Sequence, residues 1–264
     1  MGFALKLHGV SAPNLGLGKV SFAEDYYNVI ANAFFAQLNN ATQTEKDAVY
    51  ELIRTIFVNN IFDKFSLFLP MIGASVEDKL RDVVNPTDNS LYTKYNNTAA
   101  IGCFSVDSDN TLKTDASSSA TIAYTRGTWG STPFSVVGSY RTQAGSSALM
   151  AGAYTIDTQV SGAPKITISG TGIPSAAIPS LSGNTSFLSV YSYDGATAKV
   201  YHKGTLIATG NVTKTLSTAN MTRLMSYSKA NWTFLGLCEQ LTDAEIAIVT
   251  NAIMDFNTAL NRVV

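Results

Sequence analysis

The run Asp107-Ser108-Asp109-Asn110, with Asp115 close behind, sets side-chain oxygens at alternate positions of a polar stretch. A hard cation such as calcium takes oxygens in that pattern. Asp107 and Asp109 are therefore the candidate metal ligands and calcium the candidate cofactor. The run lacks the glycine and the closing bidentate glutamate of an EF-hand loop, so a solvated turn is the competing reading. Trp129 lies in the glycine-rich stretch RGTWGSTP. An indole face in such a loop can stack on a sugar ring, or it can fold back on the core. It is the candidate glycan-binding residue.

Other chemistry is poorly supplied. Retaining glycoside hydrolysis needs two carboxyl groups about 5–5.5 Å apart, which residues i and i+2 of one strand can provide. Between Asp115 and Glu239 the acidic residues are Asp157 and Asp194, each beside a turn-like position. His8 and His202 are far apart in β-like runs, and no serine occupies a Gly-x-Ser-x-Gly elbow. The glycine-rich NLGLGKV lacks the Gly-Lys-Ser/Thr ending of a phosphate loop. No catalytic residue is assigned, and the chain is expected not to be an enzyme.

The elements that would position these residues are legible by period. Residues 186–210 read as three consecutive strands. Leu188 and Val190 fall on one face, and Phe187, Tyr191 and Tyr193 on the other. Asp194-Gly195 and Lys203-Gly204 supply the turns. From Ala99 onward, short apolar runs alternate with Gly, Ser, Asn and Asp clusters, the texture of a two-sheet sandwich. Residues 24–39 read as a helix with Tyr26, Val29, Ile30, Ala33, Phe34 and Leu38 on its apolar stripe. Thr42-x-x-Glu45 is a capping box that opens a second helix over 43–59. Residues 61–73 are an aromatic-dense run ended by Pro70 and Gly73, and 74–98 read as a long connection. Thr242-x-x-Glu245 opens a closing helix with a narrow seam of Ile246, Val249, Ile253, Phe256 and Leu260.

Composition narrows the partners. Charged residues are 14% of the chain against roughly 25% in an average domain, so Ser, Thr, Asn and Gly must wet its surface. Such a surface suits a protein held in an assembly or facing the outside world more than a crowded-cytosol enzyme. A net charge of −1 and no Lys/Arg cluster give nucleic acid no electrostatic footing. No stretch is long and apolar enough to span a membrane, and MGFALKLHGV does not read as a signal peptide. Cys103 and Cys238 sit in apolar runs and read as buried thiols, with a disulfide between them as the alternative.

Several of these stretches resemble one family. VYHKGTLIATG, NWTFLGLC and the closing LTDAEIAIVTNAIMDFNTAL are similar to the concanavalin A-like (laminin-G-like) jelly-roll domains of bacteriophage virion proteins. Their closing helix also opens on Leu-Thr-Asp-x-Glu. Ile61-Phe62-Asp63-Lys64 and Leu69-Pro70-Met71-Ile72-Gly73 resemble two steps of the family's helical lead-in, with Phe62 for the usual tryptophan and Leu69 for the usual tyrosine. The resemblance implies a mainly β fold, a concanavalin A-like jelly-roll β-sandwich. Two helices precede the sandwich, one follows it, and a short β-arm leads the chain. The expected parts are an attachment arm over 1–23, a helical lead-in over 24–98 and a lectin-like sandwich with its closing helix over 99–264. The implied role is a structural component of a phage particle, a head fibre, decoration or tail-associated protein made in the host bacterial cytoplasm. It would meet other virion proteins through the arm, as a homo-oligomer, a trimer for a fibre. The alternative role is a glycan-binding module that attaches a virion to a cell-surface sugar.

Overall fold

The computed structural model describes residues 22–88, 104–114, 122–125, 133–142, 146–151, 155–159, 165–169, 176–177, 186–211, 221–225 and 230–262. The arm expected over 1–23 lies outside them except for its last two residues, which belong to the first turn of helix α1 (Phe22–Phe35).

The fold is a β-sandwich faced with helices. Helix α2 (Gln43–Val58) opens on Thr42. The Thr42 hydroxyl accepts the Glu45 amide while the Glu45 carboxylate accepts the Thr42 amide, satisfying two donors that a helix start leaves free. Asn60, at φ 58°, ends it. A 3-10 turn (Phe62–Lys64) leads into strand β1 (Phe65–Leu69). One further helical turn, α3 (Val76–Lys79), precedes the remaining strands. Helix α4 (Asp243–Ala259) closes the chain from a second capping box at Thr242.

Among the described residues there are two sheets, and the main one has eight strands. Its path runs β12 (Thr205–Asn211), β11 (Thr197–His202), β10 (Ser186–Tyr193), β5 (Phe134–Thr142), β14 (Ala230–Glu239), β3 (Leu112–Thr114) and β2 (Phe104–Val106). Strand β1 pairs with the C-terminal half of β14, Phe68 opposite Gly236. The second sheet has six strands in the order β4 (Ile122–Thr125), β13 (Met221–Leu224), β6 (Ser146–Ala151), β7 (Thr155–Gln159), β8 (Lys165–Ser169) and β9 (Ala176–Ala177). All pairings in both sheets are antiparallel.

Every residue of β10 is buried, as is every residue of β14 but the last. Thus the main sheet, whose edge strand β12 is exposed or half-buried, is covered at its centre on both faces. Alternation and register assign them. Leu188, Val190, Val137, Phe234, Cys238 and Phe68 join one apolar cluster with α1, α2 and α4. Phe187, Tyr191, Tyr193, Phe134, Tyr140 and Trp232 point the other way, into the sandwich, where Tyr140 stacks on Phe187 at 5.6 Å and meets Trp232 at 4.4 Å. A bulge in β14 makes this possible. The register slips between Trp232 and Phe234, so Trp232 faces the sandwich while Thr233 turns to the helices and donates to the Ser139 hydroxyl at 2.7 Å.

Three details depart from the sequence reading. Residues 76–79, inside the connection expected over 74–98, form the helical turn α3. The aromatic-dense run 61–73 contains a sheet strand, β1. The inward stripe of α1 is Tyr27, Ala31 and Phe34, whereas Val29 is 60% exposed. The edge-on contact of Tyr27 with Tyr50, at 5.4 Å, fixes that rotation.

Candidate functional site

The hairpin loop between β2 and β3 holds both candidate metal ligands. The loop closes on itself, with Asn110 N donating to Asp107 O at 2.9 Å and Asp107 N to Thr111 O at 3.0 Å. Asn110 is left-handed, at φ 57°. The structure brings the Asp107 and Asp109 carboxylates together around a cation that the chain itself supplies. Arg141, on β5, lies 2.9 Å from Asp109 Oδ2 and 4.0 Å from Asp107 Oδ2. The Asn231 side-chain amide donates to Asp107, and the Thr111 hydroxyl to Asp109. Among the described residues no group of three or more His, Cys, Asp or Glu is arranged to hold a metal ion.

The same loop reaches a second, buried set of charges. Lys79 is fully buried. Its ammonium donates to Gly73 O at 2.7 Å, Asn110 O at 2.7 Å and Asn110 Oδ1 at 2.9 Å, with Met71 O at 3.4 Å. Glu45 Oε1 accepts from Gly73 N at 3.0 Å and from Asn110 Nδ2 at 2.8 Å. Arg262 donates to Met71 O at 3.2 Å and Asn110 O at 2.8 Å. The start of α2, the 71–73 corner, α3, the β2–β3 loop and the end of the chain thus meet on one polar knot. Burial, with Arg262 beside it, pulls the Lys79 ammonium down to about 7, while Glu45, Asp78 and Asp109 pull the other way. Burial likewise brings Arg262 down to about 10. Nearby, Asp82 Oδ1 accepts from Phe68 N at 2.9 Å and Val84 N at 3.0 Å, pinning β1 to the chain that follows α3. Burial still pushes its carboxyl up to about 7.

The remaining candidates are placed as follows. Trp129 and Cys103 lie outside the described residues. Cys238 is buried, and its thiol donates to Ser135 O at 3.6 Å. His202 stands on the sandwich face of β11, edge-on to Phe187 at 6.0 Å. Burial, with Lys203 adjacent, lowers its imidazole to about 4, which keeps the ring neutral at physiological pH. Asp194 caps its own turn, accepting from Ala196 N and Thr197 N. Sequence reasoning missed Glu45 beyond its capping role, and missed Lys79, Arg141 and Arg262 altogether. Each acts on residues far away in the chain, and the available hint was Asn110 in a turn, a type that tolerates the left-handed region.

No protein-family model matches this chain, and no curated protein matches it. Solved structures do. A sialidase from Trypanosoma rangeli is similar at 12% identity and TM-score 0.48, over 78% of this chain and 38% of the sialidase. The binding domain of botulinum neurotoxin DC, in complex with SialylT, is similar at 13% and 0.46, over 72% and 51%. Domain 4 of an extracellular arabinanase from Geobacillus stearothermophilus, in complex with arabinotriose, is similar at 15% and 0.42, over 56% and 80%. The chain spans about a third to a half of the first three matched structures. These likenesses concern the fold alone, not what this chain binds or does. No helix among the described residues is long and apolar enough to cross a membrane.

Proposed function

We propose that this chain is a non-catalytic, glycan-binding β-sandwich module, carried on a larger assembly through its helical layer. The observation that carries this reading is the use made of the buried charges. Glu45, Lys79, Asp82 and Arg262 are each bound to backbone groups of their own fold. The acidic pair at Asp107 and Asp109 is held on Arg141. Such groups stiffen a scaffold and leave no carboxylate pair poised for acid–base work. A sugar then needs an aromatic face and hydrogen-bonding groups, for which the sequence offers Trp129 in RGTWGSTP and an abundance of Ser, Thr and Asn. Weak single sites gain strength when repeated on an assembly. The test is a glycan array probed with the chain displayed multivalently. Sialylated glycans and arabino-oligosaccharides, the ligand types named for two of the similar structures, belong on it. Signal lost in Trp129→Ala, with melting unchanged, supports the reading. Silence across the array at high protein concentration defeats it.

A second reading, a structural component of a phage particle, rests on the resemblance of the helical lead-in and the closing helix to virion proteins. Two of the stretches that carry that resemblance, Ile61–Lys64 and Leu241–Glu245, touch through Lys64 and Glu245 at 2.6 Å. In that reading the arm over 1–23 fastens the module to other virion proteins and the module assembles as a trimer. Mass spectrometry of separated head and tail fractions, with cross-linking of the purified chain, tests both parts. Absence from virions, or a monomer at every concentration, counts against it.

A further inference from the structure

We infer that the oxygens around Lys79 form a built cation site, of the kind usually filled by a metal or ammonium ion, which the chain fills with its own side chain. Four oxygens from two separate segments converge on one nitrogen: Met71 O, Gly73 O, Asn110 O and Asn110 Oδ1. Hard cations are held in this way, by carbonyl and amide oxygens converging on one point. The backbone is bent to aim them. Met71 and Asn110 are both left-handed, at φ 49° and 57°, a conformation that carries steric cost for residues with a Cβ.

The surroundings are built for positive charge as well. Glu45 sits one donor away from Lys79, on Gly73 N and Asn110 Nδ2. Its bond to Asn110 Nδ2 polarises that side-chain amide, whose oxygen faces Lys79. Arg262 shares Met71 O and Asn110 O with Lys79, so the same carbonyls serve two cations. The charges facing the site are Glu45 from α2, Asp78 from α3, Asp109 from the β2–β3 loop and Arg262 from the chain end. The run Asp107–Asn110 thus gives oxygens to two side-chain cations, Asn110 to Lys79 and the two carboxylates to Arg141.

Chemical rescue tests this. Lys79→Ala removes three methylene carbons and the nitrogen, the atoms of n-propylammonium. At pH 6, Lys79→Ala melts lower than wild type. n-Propylammonium chloride raises its melting temperature with the logarithmic concentration dependence of a bound ligand, and leaves wild type unmoved. n-Propanol, of equal size and no charge, does not. Lys79→Met, whose side chain fills the channel, gains nothing from either compound. Should Lys79→Ala not stay folded by itself, refolding yield reads the same contrast. Equal help from n-propanol would reduce the site to a cavity, and no help from either would remove the inference.

Discussion

Lys64 Nζ lies 2.6 Å from Glu245 Oε1 across 181 residues of chain. The other oxygen of that carboxylate accepts the Thr242 amide at 2.8 Å and hydroxyl at 3.0 Å. One side chain therefore starts α4 and fastens it to the 3-10 turn that leads into β1. Burial pushes the Glu245 carboxyl up, but Lys64 and Thr242 more than offset this and hold it below the ordinary range. The pair is partly exposed, at 27% and 20%, so its worth is modest. A double-mutant cycle of Lys64→Met and Glu245→Gln is expected to give a coupling of about 1 kcal/mol or less by urea unfolding. The coupling is full above the carboxyl's ordinary range and fades as pH falls through its lowered pKa. A coupling unchanged down to pH 2 would show that packing, not charge, joins them.

Gly236 is where β14 must be bare. It sits opposite Phe68 in the β1 pairing, on the face toward the helices. A Cβ there would lie 2.8 Å from the Phe65 ring and 3.1 Å from that of Phe234. Phe68 meets Phe234 edge-on at 4.9 Å in the same cluster. Gly236→Ala is expected to cost about 1–3 kcal/mol, because overpacked rings must leave their rotamers. Equilibrium denaturation measures it. The better strand propensity of alanine predicts the opposite sign.

Asp82 gives the fold an acid-side slope. Its unfolded carboxyl loses its proton near the ordinary value of 3.8, and burial holds the folded one protonated to about 7. Between those values the folded state binds more protons, so stability falls as pH rises. The fall is at most about 4 kcal/mol, at roughly 1.4 kcal/mol for each pH unit. Asp82→Asn keeps an oxygen for Phe68 N and Val84 N and cannot ionise. Its stability is expected to be flatter from pH 4 to 7 and higher than wild type at pH 8. A parallel pair of curves would remove Asp82 as the cause.

What periodicity could carry, it carried. Thr42-x-x-Glu45 and Thr242-x-x-Glu245 are both full capping boxes. Leu188 and Val190 do face away from Phe187, Tyr191 and Tyr193, because strand alternation is local. Ile246, Val249, Ile253 and Phe256 are buried on α4, whereas Leu260 is only partly so. The failures share one cause. Val29 and Ala33 fit the helical period as well as Ala31 does. Only Tyr50 and Phe57, on another helix, decide which stripe turns inward. Strand β1 hides among aromatics because its partner, β14, lies at the far end of the chain. Lys79 and Arg262 look like ordinary surface cations until Asn110 is brought to them.

Arg141 settles what the Asp107–Asp109 loop needs from solution. Its guanidinium already lies on both carboxylates, and Thr111 and Asn231 take further lone pairs. Calcium would have to displace this cation and strip those donors, yet would find few oxygens in return, since Asn110 O and Oδ1 are turned to Lys79. Millimolar calcium is therefore expected to leave the wild-type melting temperature unchanged. Arg141→Gln leaves two neighbouring carboxylates facing one another, and it should lower stability by about 1 kcal/mol at low salt. Part of that loss should return as salt screens the repulsion. Calcium should help this variant more than sodium at matched ionic strength, because only then do the carboxylates lack a counterion. A calcium-dependent rise already present in wild type, and abolished by Asp109→Ala, would mean that Arg141 swings aside and that the loop is a metal site after all.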